Sequence, residues 1–208
     1  RREGIESVIL EARDREYVQQ RVRAGVLEQG TVDCMARLGL DGRLRREGLV
    51  HEGFEILYEG VRHRIDMRAL CGRAITVYGQ QKVVEDLIDH RLSIGAPLLF
   101  EAADVALHGL DTDAPSITFT HEGRAQELRC DFVAGCDGFH GISRRSIPDG
   151  VLTTYERVYP YAWLGILAHA APSNDELIYA RTERGLALHS MRSPEISRLY
   201  LQVAPDED

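Results

Sequence analysis

The stretch Phe132-Val133-Ala134-Gly135-Cys136-Asp137-Gly138-Phe139-His140-Gly141-Ile142-Ser143-Arg144 constrains this chain more than any other. An apolar run, predicted as a strand, leads into Asp-Gly and then into a glycine-rich turn carrying a histidine and an arginine. That order puts a carboxylate, free backbone N–H groups and two cations at the carboxyl end of a strand. Open α/β sheets bind cofactors at such places. The carboxylate suits a polyol, and the cations suit a pyrophosphate. Taken alone, a glycine-rich turn is a weak signal. His140 is equally readable as an ordinary loop histidine, and Arg144 as a surface ion pair of little energetic consequence.

The formal charge of −8 over 208 residues, with no long basic run, argues against nucleic acid or an anionic membrane as a partner. Local basic pairs at Arg21/Arg23 and Arg144/Arg145 fit small anionic ligands instead. No segment reaches the roughly 18 consecutive apolar residues of a membrane span. Cys34, Cys71, Cys130 and Cys136 lack paired Cys-x-x-Cys spacing. They read as reduced thiols of a cytoplasmic protein, not as a metal site or a disulfide frame. The chain starts Arg1-Arg2-Glu3-Gly4, without Met, and stops at Ala204-Pro205-Asp206-Glu207-Asp208. The expectation is an internal fragment of a longer protein.

Ser7 to Leu10 reads as a short buried strand ending in Glu11. Val26 to Leu44 has near-helical apolar spacing, interrupted at Gly39 and Gly42. Phe54 to Ile65 alternates around Glu59-Gly60, the pattern of a hairpin. Lys82 to Leu92 is an amphipathic helix. Leu98 to Leu110 and Ile117 to Val133 read as strands, with turns at Asp111–Pro115 and His121-Glu122-Gly123. After Pro148 come the strand candidates Trp163–Leu167, Leu177–Tyr179, Leu186–Ser190 and Arg198–Val203. The expected class is α/β, α+β overall. Residues 1–151 would form one domain, and residues 152–208 part of a mostly antiparallel β domain.

Glu11 closes an apolar strand, where dinucleotide folds place an acid that accepts from ribose hydroxyls. Without the glycine-rich phosphate loop that should precede it, an ordinary strand-end carboxylate is the simpler reading. The expected place for that loop is upstream of Arg1. Arg21 and Arg23 are two apart, so in an extended segment both point the same way and could clamp a pyrophosphate. Gly25 would let backbone approach a planar ring. A solvated basic turn is the competing reading. Tyr179, Ser190, Arg192, Arg198 and Tyr200 fall on neighbouring strands, with Ser190/Arg192 and Arg198/Tyr200 two apart. That face suits an aromatic acid, although the solvent side of a sheet would look similar. His51 reads as structural, and Trp163 as a core residue.

Together these residues resemble the FAD-dependent aromatic hydroxylases. The matching runs include Val8-Ile9-Leu10-Glu11, Arg21 through Gly30, Gly48 through Gly53 and Thr76-Val77-Tyr78-Gly79-Gln80. They continue through Cys136–Pro148, Glu156–Tyr161, Trp163-Leu164-Gly165, Glu176–Ala180 and Ser190-Met191-Arg192-Ser193. The Arg-Ala-Gly-Val-Leu-Glu-Gln-Gly run, with Ser-x-Arg and the tyrosines, is similar to members acting on 4-hydroxybenzoate.

The resemblance implies a Rossmann-like FAD-binding domain, truncated, followed by a substrate domain. Glu11 would hold the FAD ribose, Arg23 the pyrophosphate, and Gln80 and Asp137 the ribityl and phosphate region. Gly25 and Val26 would line the flavin, with Arg198 beside it. Arg21, His140 and Arg144 would help bind NADPH or NADH. Ser190, Arg192 and Tyr200 would bind the substrate carboxylate and Tyr179 its phenol, with His51 ending a proton relay to solvent. The implied reaction is ortho hydroxylation of 4-hydroxybenzoate by O2, in a protein that is a homodimer when full length. Alternatives are a hydroxylase of another phenolic acid, or a non-catalytic ligand-binding relative. The fragment alone would bind FAD poorly and would not turn over.

Overall fold

The computed structural model describes residues 3–21 and 24–206. In chain order the elements are β1 (Ile9–Leu10), α1 (Arg15–Gln20), β2 (Val26–Glu28), α2 (Gln29–Leu38), α3 (Gly42–Glu47) and β3 (Leu49–His51). Next come β4 (Gly53–Tyr58), β5 (Val61–Asp66), α4 (Met67–Cys71), β6 (Ile75–Val77) and α5 (Gln80–Ser93). Then follow β7 (Leu98–Leu99), β8 (Ala103–His108), β9 (Ser116–His121), β10 (Arg124–Arg129) and a 3-10 turn at Arg144–Ser146. The last four are β11 (Ala162–Ala168), β12 (Leu177–Thr182), β13 (Gly185–Ser193) and β14 (Ile196–Val203). The class is mixed α/β, as expected. The chain divides into two compact units, Arg1–Gln19 with Arg91–Arg157 and Gln20–His90 with Val158–Asp208.

In the first unit β1 lies parallel to β7, and β8, β9 and β10 form an antiparallel meander. Glu122 and Gly123 both take positive φ, at 51° and 71°, which closes the β9–β10 turn. This is the two-residue geometry that matches strand twist. The strand expected through Leu98 to Leu110 is split between β7 and β8, and Glu101 and Asp104 both take positive φ. The strand expected at Ser7–Leu10 is short, and Ile9 is 44% exposed rather than buried.

The apolar run at 132–134 is not a strand: Phe132 is 92% exposed and no ladder includes these residues. A strand needs a backbone neighbour to satisfy its N–H and C=O groups. None pairs with this run among the described residues.

In the second unit β2 and β3 flank β6, both antiparallel to it. Val26 to Leu44 is therefore a strand and two helices, not one helical run. Gly39, at φ 70°, ends α2, with N–H bonds from Gly39 to Ala36 and from Leu40 to Met35. That is a glycine-terminated helix end. Leu27, Met35, Leu44 and Tyr78 form the buried cluster beneath, with Val32, Leu40 and Val83 against it.

The other sheet of this unit has the order β11-β14-β13-β12-β4-β5. The β4–β5 hairpin turns at Glu59 and Gly60, with φ 49° and 78°, as its sequence predicts. Strand β4 then runs parallel to β12. That pairing places residues 53–66 with residues 162–203, so the compact units differ from the linear division at residue 151. The later crossing, at Arg157/Val158, lies close to it. Trp163 is no core residue. It is 49% exposed on β11, which pairs on one side only.

Candidate cofactor and substrate site

Glu11 ends β1, and its N–H donates to the Leu99 carbonyl at 2.9 Å. One carboxylate oxygen, Oε1, accepts from the Arg13 N–H at 2.9 Å. Oε2 makes no hydrogen bond among the described residues. One oxygen thus holds the turn, and the other can accept from a hydroxyl.

Asp137 is already engaged. Its Oδ2 accepts from the Ser143 N–H at 2.8 Å and the Ser143 hydroxyl at 2.9 Å. The Ser143 backbone bond, more than any other cause, holds this carboxyl below its ordinary pKa. Gly141 lies directly on the carboxylate, so that an added Cβ would collide with it. Outside the loop, Arg144 lies 4.9 Å over the Phe139 ring, and His140 meets the same ring edge-on at 5.0 Å. The expected residues are together, but without the strand that was to present them.

In the second unit a corner joins β2 to β6. The Tyr78 N–H donates to the Gly25 carbonyl, and the Gln80 N–H to the Ala24 carbonyl, both at 2.9 Å. Gln80 opens α5 half-buried, and its side-chain amide makes no hydrogen bond among the described residues. Val26 is half-buried beside Gly25. The Arg192 guanidinium rests on Gly25, where any Cβ would strike it, and donates to Gln81 Oε1 at 3.3 Å. Glycine is required here because the approach is too close for a side chain. Arg21 is exposed, and Arg23 lies outside the described residues.

The six-stranded sheet brings the predicted face together. Tyr179, Leu188, Tyr200 and Gly165 are paired in one row across β12, β13, β14 and β11. Ser190 and Arg198 are paired in the next row on the same side. A register shift between Met191 and Ser193 makes Arg192 the bulged residue. A bulge re-aims a side chain, and the Ser190/Arg192 spacing alone does not foretell its direction. Burial, then the charge of Arg198, works against the Arg192 cation, and Tyr200 favours it. Arg198 lies 4.4 Å over the Tyr200 ring. Ser190 is buried, and its hydroxyl donates to the Met191 carbonyl at 3.1 Å. Tyr179 is 44% exposed and meets Phe54 edge-on at 5.6 Å. Beside it Phe54, Ile56, Tyr58, Arg181 and Leu186 line a shallow apolar hollow.

His51 is 1% exposed, so it does not reach solvent in this structure. Neither ring nitrogen has a hydrogen-bond partner among the described residues. Burial pushes its pKa down, while Glu176 and Asp175 pull it partly back. The ring is neutral near pH 7.

A family model described as "FAD binding domain" matches residues 1–208. The chain belongs to the FAD binding domain family. It is 48% identical over 201 residues to the p-hydroxybenzoate hydroxylase of Acinetobacter baylyi (strain ATCC 33305 / BD413 / ADP1), covering 96% of this chain and 50% of that protein. The chain thus spans about half the length of this curated relative. The solved structure of p-nitrophenol 4-monooxygenase from Pseudomonas putida DLL-E4 matches with a TM-score of 0.83 at 16% identity, over 100% of this chain and 54% of the other. PqsL of P. aeruginosa, in complex with 2-aminobenzoylacetate, matches at 0.77 and 21% identity, over 98% and 55%. At such identities the likeness is one of fold.

Each unit by itself holds groups whose chemistry suits FAD: Glu11 offers an acceptor in one, and Gln80 an unspent amide and Gly25 a backbone without a side chain in the other. Among the described residues no helix is long and apolar enough to cross a membrane, and no cluster of His, Cys, Asp or Glu suits a metal ion.

Sequence reasoning missed Glu176, whose carboxylate accepts from the Gly53 N–H at 2.8 Å and from Arg64 Nε at 2.8 Å and Nη2 at 2.9 Å. These bonds tie the strand bearing Tyr179 to the corner that follows His51. Glu176 is more than 100 residues from both partners, so no local pattern signals the contact. The Arg43–Asp86 contact was missed for the same reason.

Proposed function

We propose that the protein hydroxylates 4-hydroxybenzoate ortho to its phenol, giving 3,4-dihydroxybenzoate, with NAD(P)H and O2 as co-substrates. The balance is one substrate, one NAD(P)H, one proton and one O2 to one product, one NAD(P)+ and one water. The observation that carries this is the sheet face with Tyr179 at one end and Arg198 and Arg192 at the other. Two strand spacings separate Tyr179 from Tyr200, roughly 10 Å. A small ring with a hydroxyl at one pole and a carboxylate at the other suits such a face. The 48% identity to p-hydroxybenzoate hydroxylase supports the same choice.

The chemistry that FAD supplies when bound is acceptance of hydride from NAD(P)H and activation of O2. Glu11, Asp137, Gln80, Gly25, Val26 and Arg23 are the residues to hold it, with Arg21, His140 and Arg144 for the nicotinamide. Arg192 and Arg198, two cations brought close, are relieved by an arriving carboxylate. Ser190 and Tyr200 complete that end. Tyr179 holds the phenol, and removal of the phenol proton makes the ortho carbon more nucleophilic. His51 belongs to the relay that carries that proton away. Residues 1–151 serve mainly FAD and 152–208 the substrate, in a cytoplasmic homodimer.

The test uses two variants of the intact protein. Arg192→Lys weakens 4-hydroxybenzoate binding by about 1–3 kcal/mol, because lysine lacks the planar fork. Tyr179→Phe oxidises NAD(P)H with little hydroxylated product. Unchanged affinity in the first and full coupling in the second would together sink the assignment.

A further inference from the structure

The corner that carries Gly25 and Gln80 is braced by a network that the proposed reaction does not use. Tyr78 is 2% exposed, in the cluster of Leu27, Met35 and Leu44. Its hydroxyl donates to Asp86 Oδ2 at 2.7 Å. Arg43 Nη1 donates to the other Asp86 oxygen at 3.4 Å and to Glu85 at 2.8 Å, and Arg43 Nε to Glu47 at 3.1 Å. Lys82 donates to Glu47 and lies 5.6 Å over the Tyr78 ring. Tyr78 therefore has its main chain tied to Gly25 and its side chain tied to α5, which Arg43 links to α3.

Phenylalanine would fill the same apolar space. A buried hydroxyl adds little area and costs free energy unless it is paired. What it adds is direction, because one short bond fixes where the ring, and hence the Tyr78–Gln80 backbone, sits over the helix. Burial, followed by Asp86, raises the phenol's pKa, so the group remains a donor throughout the neutral range.

We propose that Asp86, acting through the Tyr78 hydroxyl, is a positioning residue that sets the Gly25 and Gln80 segments for FAD. This rests on the FAD-binding reading above. FAD titration of the intact protein, followed by flavin fluorescence, is run beside thermal unfolding of the cofactor-free form. Asp86 is only partly buried, so its variants keep the apolar cluster.

Asp86→Ala is expected to raise the FAD dissociation constant about tenfold, the scale of one hydrogen bond to a charged group. Its unfolding temperature without FAD should stay within a few degrees of the parent's. Asp86→Asn keeps an oxygen acceptor and should restore most of the affinity. Parent-like affinity in Asp86→Ala, with a lowered unfolding temperature, would show a mere structural strut and overturn the proposal. Equal loss in Asn and Ala would overturn its hydrogen-bond basis. If the parent protein itself takes up no FAD, the FAD reading fails first, before any variant is compared.

Discussion

The loop around Asp137 and the corner around Gly25 are both polar sites built on glycines, and they are held in opposite ways. Asp137 is satisfied by Ser143, six residues away, and the side chains outside the loop are exposed. The Gly25 corner depends on Tyr78 beside it, on Asp86 and Arg43 behind it, and on Arg192 from another sheet. Local bonds close a short loop at small entropic cost and need no core. A corner built from distant segments has no shape until the core beneath it has packed. The first site should therefore survive loosening of the molecule, and the second should not.

The widest separation should come from Leu44→Ala. Leu44 is 3% exposed in the cluster under the corner. Its truncation should cost about 2–5 kcal/mol in urea unfolding, while the Ser143 amide resonance stays in place. Movement of that resonance would show that the two regions are not independent.

Acid should act next. His51 is buried with its pKa depressed, so below about 6.5 the unfolded chain binds a proton that the folded one refuses. Stability should fall as pH drops through that range, by at most about 1.4 kcal/mol per unit for one proton. His51→Gln should reduce that slope, leaving the part due to His189, whose pKa burial also lowers, and a profile unchanged by the substitution would refute it. Glu176 and Asp137, both depressed, add their losses only lower, as pH falls from the ordinary carboxylate range.

The smallest effect belongs to the loop itself. Ser143→Ala should cost no more than about 1 kcal/mol, yet raise the Asp137 pKa, seen by carboxyl NMR titration. A large loss of global stability would mean that the loop supports more than itself.

The features legible in the sequence were those with local causes. Glu59-Gly60 and Glu122-Gly123 turn their hairpins by their own backbone preferences, and α5 follows its apolar spacing. The residues proposed for the cofactor were readable as short motifs. Two expectations failed for a common reason. Phe132–Ala134 has strand composition but no pairing partner among the described residues. Trp163 has core composition but sits on an edge strand. Each depends on a neighbour that is distant in the chain.

Sequence by itself determined the family and the Asp-Gly loop with its glycines, and it suggested the residues proposed to hold a flavin and a phenolic acid. These follow from residue chemistry and short-range spacing. Only the tertiary structure decided that β4 and β5 join the sheet of Tyr179, that His51 is sealed from solvent, and that Asp86 and Arg43 brace the Gly25 corner. Those facts arise when segments far apart are buried together. Desolvation then makes each pairing, or its absence, count for more than any local preference.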